Sequence, residues 1–224
     1  MNPRTSLLPR LAISALIAVV ALPGCDHLGL GIRGNGNITT ETRSISDFSG
    51  IEASGAYKIS WTPGAPSLSV TTDSNLLDKI ETTVRDGKLR IRSTEHVRPT
   101  HKGIIVAISS QALKGAKFRG AVDFKAAKIT GTDFFVQSDG ASDVILDGTT
   151  DSLTARLRGA GDFDAQALQA KSVEISLMGA ADAKVNATDS LSVSIKGAGD
   201  VRYAGNPQSI KKSIAGAGSV KPLK

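Results

Sequence analysis

Aromatic side chains are scarce in this chain: one Trp, two Tyr and six Phe make up 4% of its 224 residues. Broad cores draw much of their burial from such rings, so the interior here must be narrow and aliphatic. Cysteine is scarcer still. Cys25 stands alone, which excludes an internal disulfide framework and any metal site built from several thiolates. Of the three histidines, His96 and His101 flank Pro99 in a polar stretch beside Glu95 and read as a solvated connection, so no metal and no cofactor is expected. There is no serine elbow for acyl transfer and no free thiol nucleophile, and the chain is read as not an enzyme. Basic residues are nowhere interleaved with aromatics, which argues against single-stranded nucleic acid as a partner.

Hydrophobic runs are also short. The longest stretch of apolar character, Leu11 to Ala21 with Ser14 its one polar residue, follows a start carrying Arg4 and Arg10 and precedes Leu22-Pro-Gly-Cys25. Eleven residues rise only about 16 Å as a helix, roughly half a bilayer core, so residues 1–25 read as an export signal and not as a membrane span. The tetrapeptide resembles the bacterial prolipoprotein lipobox, with Cys25 as the lipidated first residue of the mature chain. That resemblance implies a membrane partner through acyl chains on Cys25, and Asp26 resembles an inner-membrane retention signal. Without residues 1–24 the chain keeps 25 of its 27 basic residues against 21 acidic ones, a net of +4, too little to mark a polyanion binder by composition alone. Residues 26–37 hold the glycine- and asparagine-rich Gly29–Asn37 and read as a flexible tether.

What the chain has in quantity is a repeated phrase. Gly120-Ala-Val-Asp-Phe, Gly140-Ala-Ser-Asp-Val, Gly159-Ala-Gly-Asp-Phe, Gly179-Ala-Ala-Asp-Ala, Gly197-Ala-Gly-Asp-Val and Gly216-Ala-Gly-Ser-Val follow one another at spacings of 20, 19, 20, 18 and 19 residues. A period near nineteen marks a stacked repeat. Phe124, Val144, Phe163, Ala183, Val201 and Val220 fill the fifth position and should face inward, while the small third positions keep one wall narrow. A second strand precedes each later phrase, as in Leu153–Leu157, Val173–Leu177 and Leu191–Ile195. Thr132-Asp133, Thr150-Asp151 and Thr188-Asp189 mark the turns between. Two strands per coil predict an all-β fold: a right-handed parallel β-helix, or solenoid, with coils of about 19 residues over 112–224.

Residues 38–111 form a less regular start to the same domain, 38–224. Gly55–Trp61 alternates Tyr57, Ile59 and Trp61 on one face, Leu68–Thr72 is a second strand, and Asn75–Ile80 is a one-turn corner. Thr83–Ile91 is a hairpin turning at Asp86-Gly87. Ile104–Ile108 is a further strand.

Asn37–Phe48, Ile51, Gly55, Asp73–Leu77, Ile80 and Asp86–Ile91, followed by the Gly-Ala-x-Asp phrases, resemble the bacterial family of the putative auto-transporter adhesin, head GIN domain, over residues 34–224. The resemblance implies a right-handed β-helix similar in architecture to pectin-lyase-like proteins, no established catalytic residues, and a role in cell-surface adhesion or glycan contact. The repeats here carry Gly-Ala-Gly-Asp in place of Gly-Ile-Asn.

Asp123, Asp143, Asp162, Asp182 and Asp200 are the main candidates for chemistry. In register they would stand about 4.8 Å apart, each neighbouring pair repelling by about 1 kcal/mol even at the dielectric of water. Three things could relieve this: Lys125, Lys184 and Arg202 nearby, backbone amides at the corners, or a bound cation. Tyr57 and Trp61 are candidates for stacking on a sugar ring, or for the core. The functional expectation is a lipid-anchored, non-enzymatic module for adhesion or envelope organisation, its partner a glycan or an envelope protein. A glycan-processing protein of the pectin-lyase type is the alternative.

Overall fold

Period-two burial, the signature of extended chain with one face inward, recurs along the strands from Gly50 to Val201. In the computed structural model, which describes residues 31–100 and 102–223, this pattern resolves into an all-β fold. The signal, Cys25, Asp26 and His101 lie outside the described residues. The strands are β1 (Ile32–Arg33), β2 (Ile38–Arg43), β3 (Gly50–Pro63), β4 (Ser67–Asp73), β5 (Ile80–Arg85), β6 (Lys88–Ser93), β7 (Val97–Arg98), β8 (Ile105–Ser110), β9 (Gly115–Ala204) and β10 (Ser209–Pro222). A 3-10 helix, Ser74–Lys79, sits between β4 and β5 at the expected corner. The hairpin of β5 and β6 turns at Asp86 and Gly87, both at positive φ (53° and 68°), as the Asp-Gly pair predicts.

β9 holds 90 residues of extended chain, which would measure about 300 Å if straight. Glycine corners bring it back beside itself. Gly159 (φ 122°) and Gly179 (φ 135°) occupy backbone space that L side chains rarely enter, and a Cβ on either would overlap the carbonyl oxygen of the preceding phrase glycine, Gly140 or Gly159. β10 then pairs in parallel with the last part of β9, from Ser209↔Ser190 to Pro222↔Tyr203, a constant offset of 19 residues. The fifth positions Phe124, Val144, Phe163, Ala183 and Val201 are at most 2% exposed.

The stack begins earlier than the phrase spacing indicates. β3 pairs in parallel with the start of β9 from Gly50↔Gly115 to Trp61↔Ala126, so Gly55 lies beside Gly120 and Lys58 beside Asp123. Gly55-Ala-Tyr-Lys-Ile59 is therefore another phrase of the series, separated from the next by an excursion carrying β4 to β8. The offset of 65 residues hid it from a search for a fixed period.

Two expectations need correction. Residues 31–37 are not a free tether: Ile32 and Arg33 pair with Val97 and Arg98, and Gly36 donates its amide to the buried Asp73 carboxylate at 2.7 Å. Asp73 also accepts the amide and hydroxyl of Thr100 at 2.8 and 2.7 Å. One buried acid thus ties this strand to the β7–β8 connection, which glycine-rich composition could not reveal. Nor are Tyr57 and Trp61 sugar platforms. They are 3% and 2% exposed, with the Tyr57 hydroxyl 2.9 Å from Ser93 Oγ and Trp61 Nε1 donating to Ser110 Oγ at 2.9 Å. A ring with both faces packed cannot stack on a ligand.

Candidate functional site

Each phrase places its fourth residue outward, between an inward third and an inward fifth position, so Asp123, Asp143, Asp162, Asp182 and Asp200 share one outer row. Lys58 precedes them in register and Ser219 follows. The row is therefore closed at one end by a cation and at the other by a hydroxyl.

Three of the five acids are held by hydrogen bonds to the next rung. Asp143 Oδ1 accepts the Asp162 amide at 3.0 Å, Asp182 Oδ1 accepts the Asp200 amide at 2.8 Å, and Asp200 Oδ1 accepts the Ser219 hydroxyl at 2.8 Å. These bonds join residues 18 or 19 apart, so each carboxylate ties one phrase to its successor. The Ser219 hydroxyl chiefly, then its amide and the charges of Lys221 and Arg202, holds Asp200 below the usual carboxylate range. Lys184 lies 3.7 Å from Asp164, on the neighbouring outward position, and makes no ion pair with Asp182 among the described residues. At Asp143 and Asp182 the relief comes from a backbone amide, and at Asp200 from the Ser219 hydroxyl ahead of the side-chain cations.

Asp143, Asp162, Asp164, Asp182 and Asp200 also line a groove of about 500 Å³, with Ile145, Lys184 and Arg202 on its walls. Ile145 is 44% exposed there. Chemically the groove offers acceptors to a cationic or hydroxyl-rich surface. Among the described residues no three of His, Cys, Asp and Glu stand together as a metal set. The acids succeed one another along a row, where acid–base catalysis on a glycosidic bond needs two that flank one point.

Residues 47–207 match the family described as putative auto-transporter adhesin, head GIN domain. The crystal structure of a putative adhesin from Bacteroides fragilis NCTC 9343 is similar with a TM-score of 0.71 and 25% identity, over 86% of this chain and 100% of that one. A putative lipid binding protein from Parabacteroides distasonis ATCC 8503 is similar with a TM-score of 0.50 and 26% identity, over 86% and 99% of the two chains. A putative adhesin from Parabacteroides merdae ATCC 43184, 19% identical over the same shares with a TM-score of 0.55, has a like fold. No curated protein matches the chain.

Proposed function

Because the chain belongs to the family of the putative auto-transporter adhesin, head GIN domain, we propose that it is a non-enzymatic binding module of the bacterial cell envelope. It is exported and held at a membrane by acyl chains on Cys25. Its body is a right-handed parallel β-solenoid with coils of about 19 residues, presenting rows of outward side chains to a glycan or to an envelope protein. The observation that carries this reading is the parallel, in-register succession of phrases from Gly55 to Gly216, which repeats one outward position on every rung. The similar putative adhesin from Bacteroides fragilis supports such a module. Two or more acyl chains give stable anchoring, each buried methylene contributing about 0.8 kcal/mol.

The test has two arms. Full-length protein expressed in a bacterial host should incorporate labelled palmitate and sediment with membranes, and Cys25→Ser should abolish both. In the second arm, host cells displaying the protein should attach to surfaces or partner cells more than cells displaying nothing. Membrane association that survives Cys25→Ser after signal cleavage would sink the anchor, and unchanged attachment would sink the binding role.

A further inference from the structure

A second outward row, one residue before each phrase glycine, carries a charge pattern of its own. Its members, in the order of the strands, are Arg92, Ser54, Arg119, Asp139, Arg158, Met178, Lys196 and Ala215. Arg92 and Arg119 flank Ser54 in the pairing of β6, β3 and β9, and Ala215 pairs with Lys196. The intervening members are placed by the stacked glycines that follow them, Gly120, Gly140, Gly159, Gly179 and Gly197. Cations thus stand on every second rung, Arg92, Arg119, Arg158 and Lys196, with Ser, Asp and Met between. At about 4.8 Å per rung the cations recur every ~10 Å over a span of ~29 Å.

The parallel row two residues earlier begins in the same phase, Arg90, Glu52, Lys117, Gln137, Arg156. Phe135 braces that row, with Lys117 Nζ at 5.8 Å and the Arg156 guanidinium at 6.0 Å from its ring centroid. Between the first rungs lies a concavity of about 370 Å³ lined by Arg90, Arg92, Lys117, Arg119, Gln137 and Asp139. Arg92 pairs with Glu81 (2.6 Å), Arg90 with Glu52 (3.3 Å) and Arg158 with Asp139 (3.7 Å). Among the described residues Lys117, Arg119, Arg156 and Lys196 make no ion pair. The hydrogen bond from Lys88, with the charges of Lys88, Arg90 and Lys117, outweighs burial and holds Glu52 below its ordinary value, as a positive face requires.

We propose that this face binds an extended acidic polysaccharide carrying one carboxylate per disaccharide, its chain running along the row Arg92–Arg119–Arg158–Lys196. The proposal rests on the reading of the protein as a binding module and names the partner class. A two-sugar repeat in an extended chain is about as long as two rungs, so successive uronates meet successive cations while the intervening neutral sugars pass over Ser54, Asp139 and Met178. Nucleic acid fits worse, because phosphates recur every ~3.4 Å of rise along a strand and base stacking needs exposed rings. A bilayer would find little apolar surface along the row, where Met178 is the one large apolar member.

The experiment uses the full-length protein in neutral phosphatidylcholine vesicles. Fluorescent hyaluronan oligosaccharides, with one carboxylate per disaccharide, are compared with polygalacturonate oligosaccharides, with one per sugar, and with single-stranded DNA of equal charge. Hyaluronan should bind most tightly. Arg119→Gln and Lys196→Gln should each weaken it about threefold to fivefold, the range for one exposed charge contact, and Lys171→Gln, at the turn where Lys171 pairs with Asp151, should leave it unchanged. The charge-conserving pair Ser54→Arg with Arg119→Ser moves one cation by one rung and should remove the preference for hyaluronan while melting as the parent does. The proposal is overturned if hyaluronan is not bound, if DNA or polygalacturonate binds more tightly, or if the relocated charge changes nothing. Attachment to cells without affinity for any of these polymers would overturn it and leave the adhesion reading standing.

Discussion

Replacing Gly159 by Ala tests the stacking of the phrases directly, because two separate costs meet at that residue. Its φ of 122° is one that alanine rarely adopts, and the added Cβ would run into the carbonyl of Gly140 on the rung beneath. A forced positive φ costs about 1–3 kcal/mol, and inserting a methyl into packed backbone costs about 1–3 kcal/mol more. The two can be separated within the same chain. Gly131 has a φ of 150° with nothing within 4 Å of the added methyl, so Gly131→Ala carries only the first cost. Gly199 is not at positive φ but its Cβ would strike the Ala181 carbonyl, so Gly199→Ala carries only the second. Urea unfolding should therefore place Gly159→Ala about 2–6 kcal/mol below the parent and each of the others about 1–3 kcal/mol below. Far-UV circular dichroism and the fluorescence of Trp61, the only tryptophan, report the transition, and their coincidence tests whether one free energy describes it. If Gly159→Ala were no worse than Gly131→Ala, the close approach between rungs would be refuted.

The remaining predictions concern the core, the buried acid and the end of the stack. Asp73→Asn should destabilise by about 2–3 kcal/mol, the range for hydrogen bonds to a charged group, measured by the same urea titration. Burial pushes the Asp73 carboxyl up, but the bonds from Thr100 and Gly36 outweigh it and leave it below the usual value. An acid depressed in the folded state stabilises above its unfolded pKa, near 4, and that contribution is lost as pH falls through the lower folded value. The melting temperature should accordingly hold from neutral pH to about 5 and drop below about 4, with a blunted drop in Asp73→Asn. Ile195→Ala, at a site 1% exposed, should cost about 2–5 kcal/mol, whereas Ile214→Ala one rung further, 43% exposed and in register with it, should cost well under half of that. Thermal melts of the pair give the contrast, and equal losses would mean that another surface covers Ile214.

Much of the fold was legible because its determinants are local and repeated. The fifth-position residues, the corner at Asn75–Ile80 and the Asp86-Gly87 hairpin each follow from a short pattern, and each is found where the pattern puts it. The phrase at Gly55 was missed because a repeat search looks for a constant interval, and the excursion through β4 to β8 makes this interval 65. The tether expectation failed over 31–37 for a related reason: composition reports how little a segment can bury, not whether a distant Asp73 will accept its amides. The aspartate row was visible as a period. Its amide acceptors were not, since hydrogen bonds across 18 or 19 residues depend on the rotation of one rung against the next. The alternating cations could have been found by writing the residue before each phrase glycine in a column, once Gly55 and β6 were known to belong to the stack.

The two rows divide the work between cohesion and contact. A ladder of like charges would push the stacked phrases apart if each carboxylate faced only its neighbours, yet Lys58 and Ser219 bound it, and Asp143 and Asp182 each give an oxygen to the following amide. Those oxygens join one phrase to the next and are less open to a partner. On the other row the basic residues are thinned to alternate rungs, so that along the row each lies ~10 Å from the next, beyond the ~8 Å screening length of physiological salt, while Lys117 beside Arg119 and Arg156 beside Arg158 stand closer, two residues apart on one strand face. Along each row, close spacing is tolerated where the backbone supplies donors, and wide spacing is used where it does not. Charges without a partner on their own chain are the ones left to meet another molecule, and on this face, among the described residues, those are Lys117, Arg119, Arg156 and Lys196.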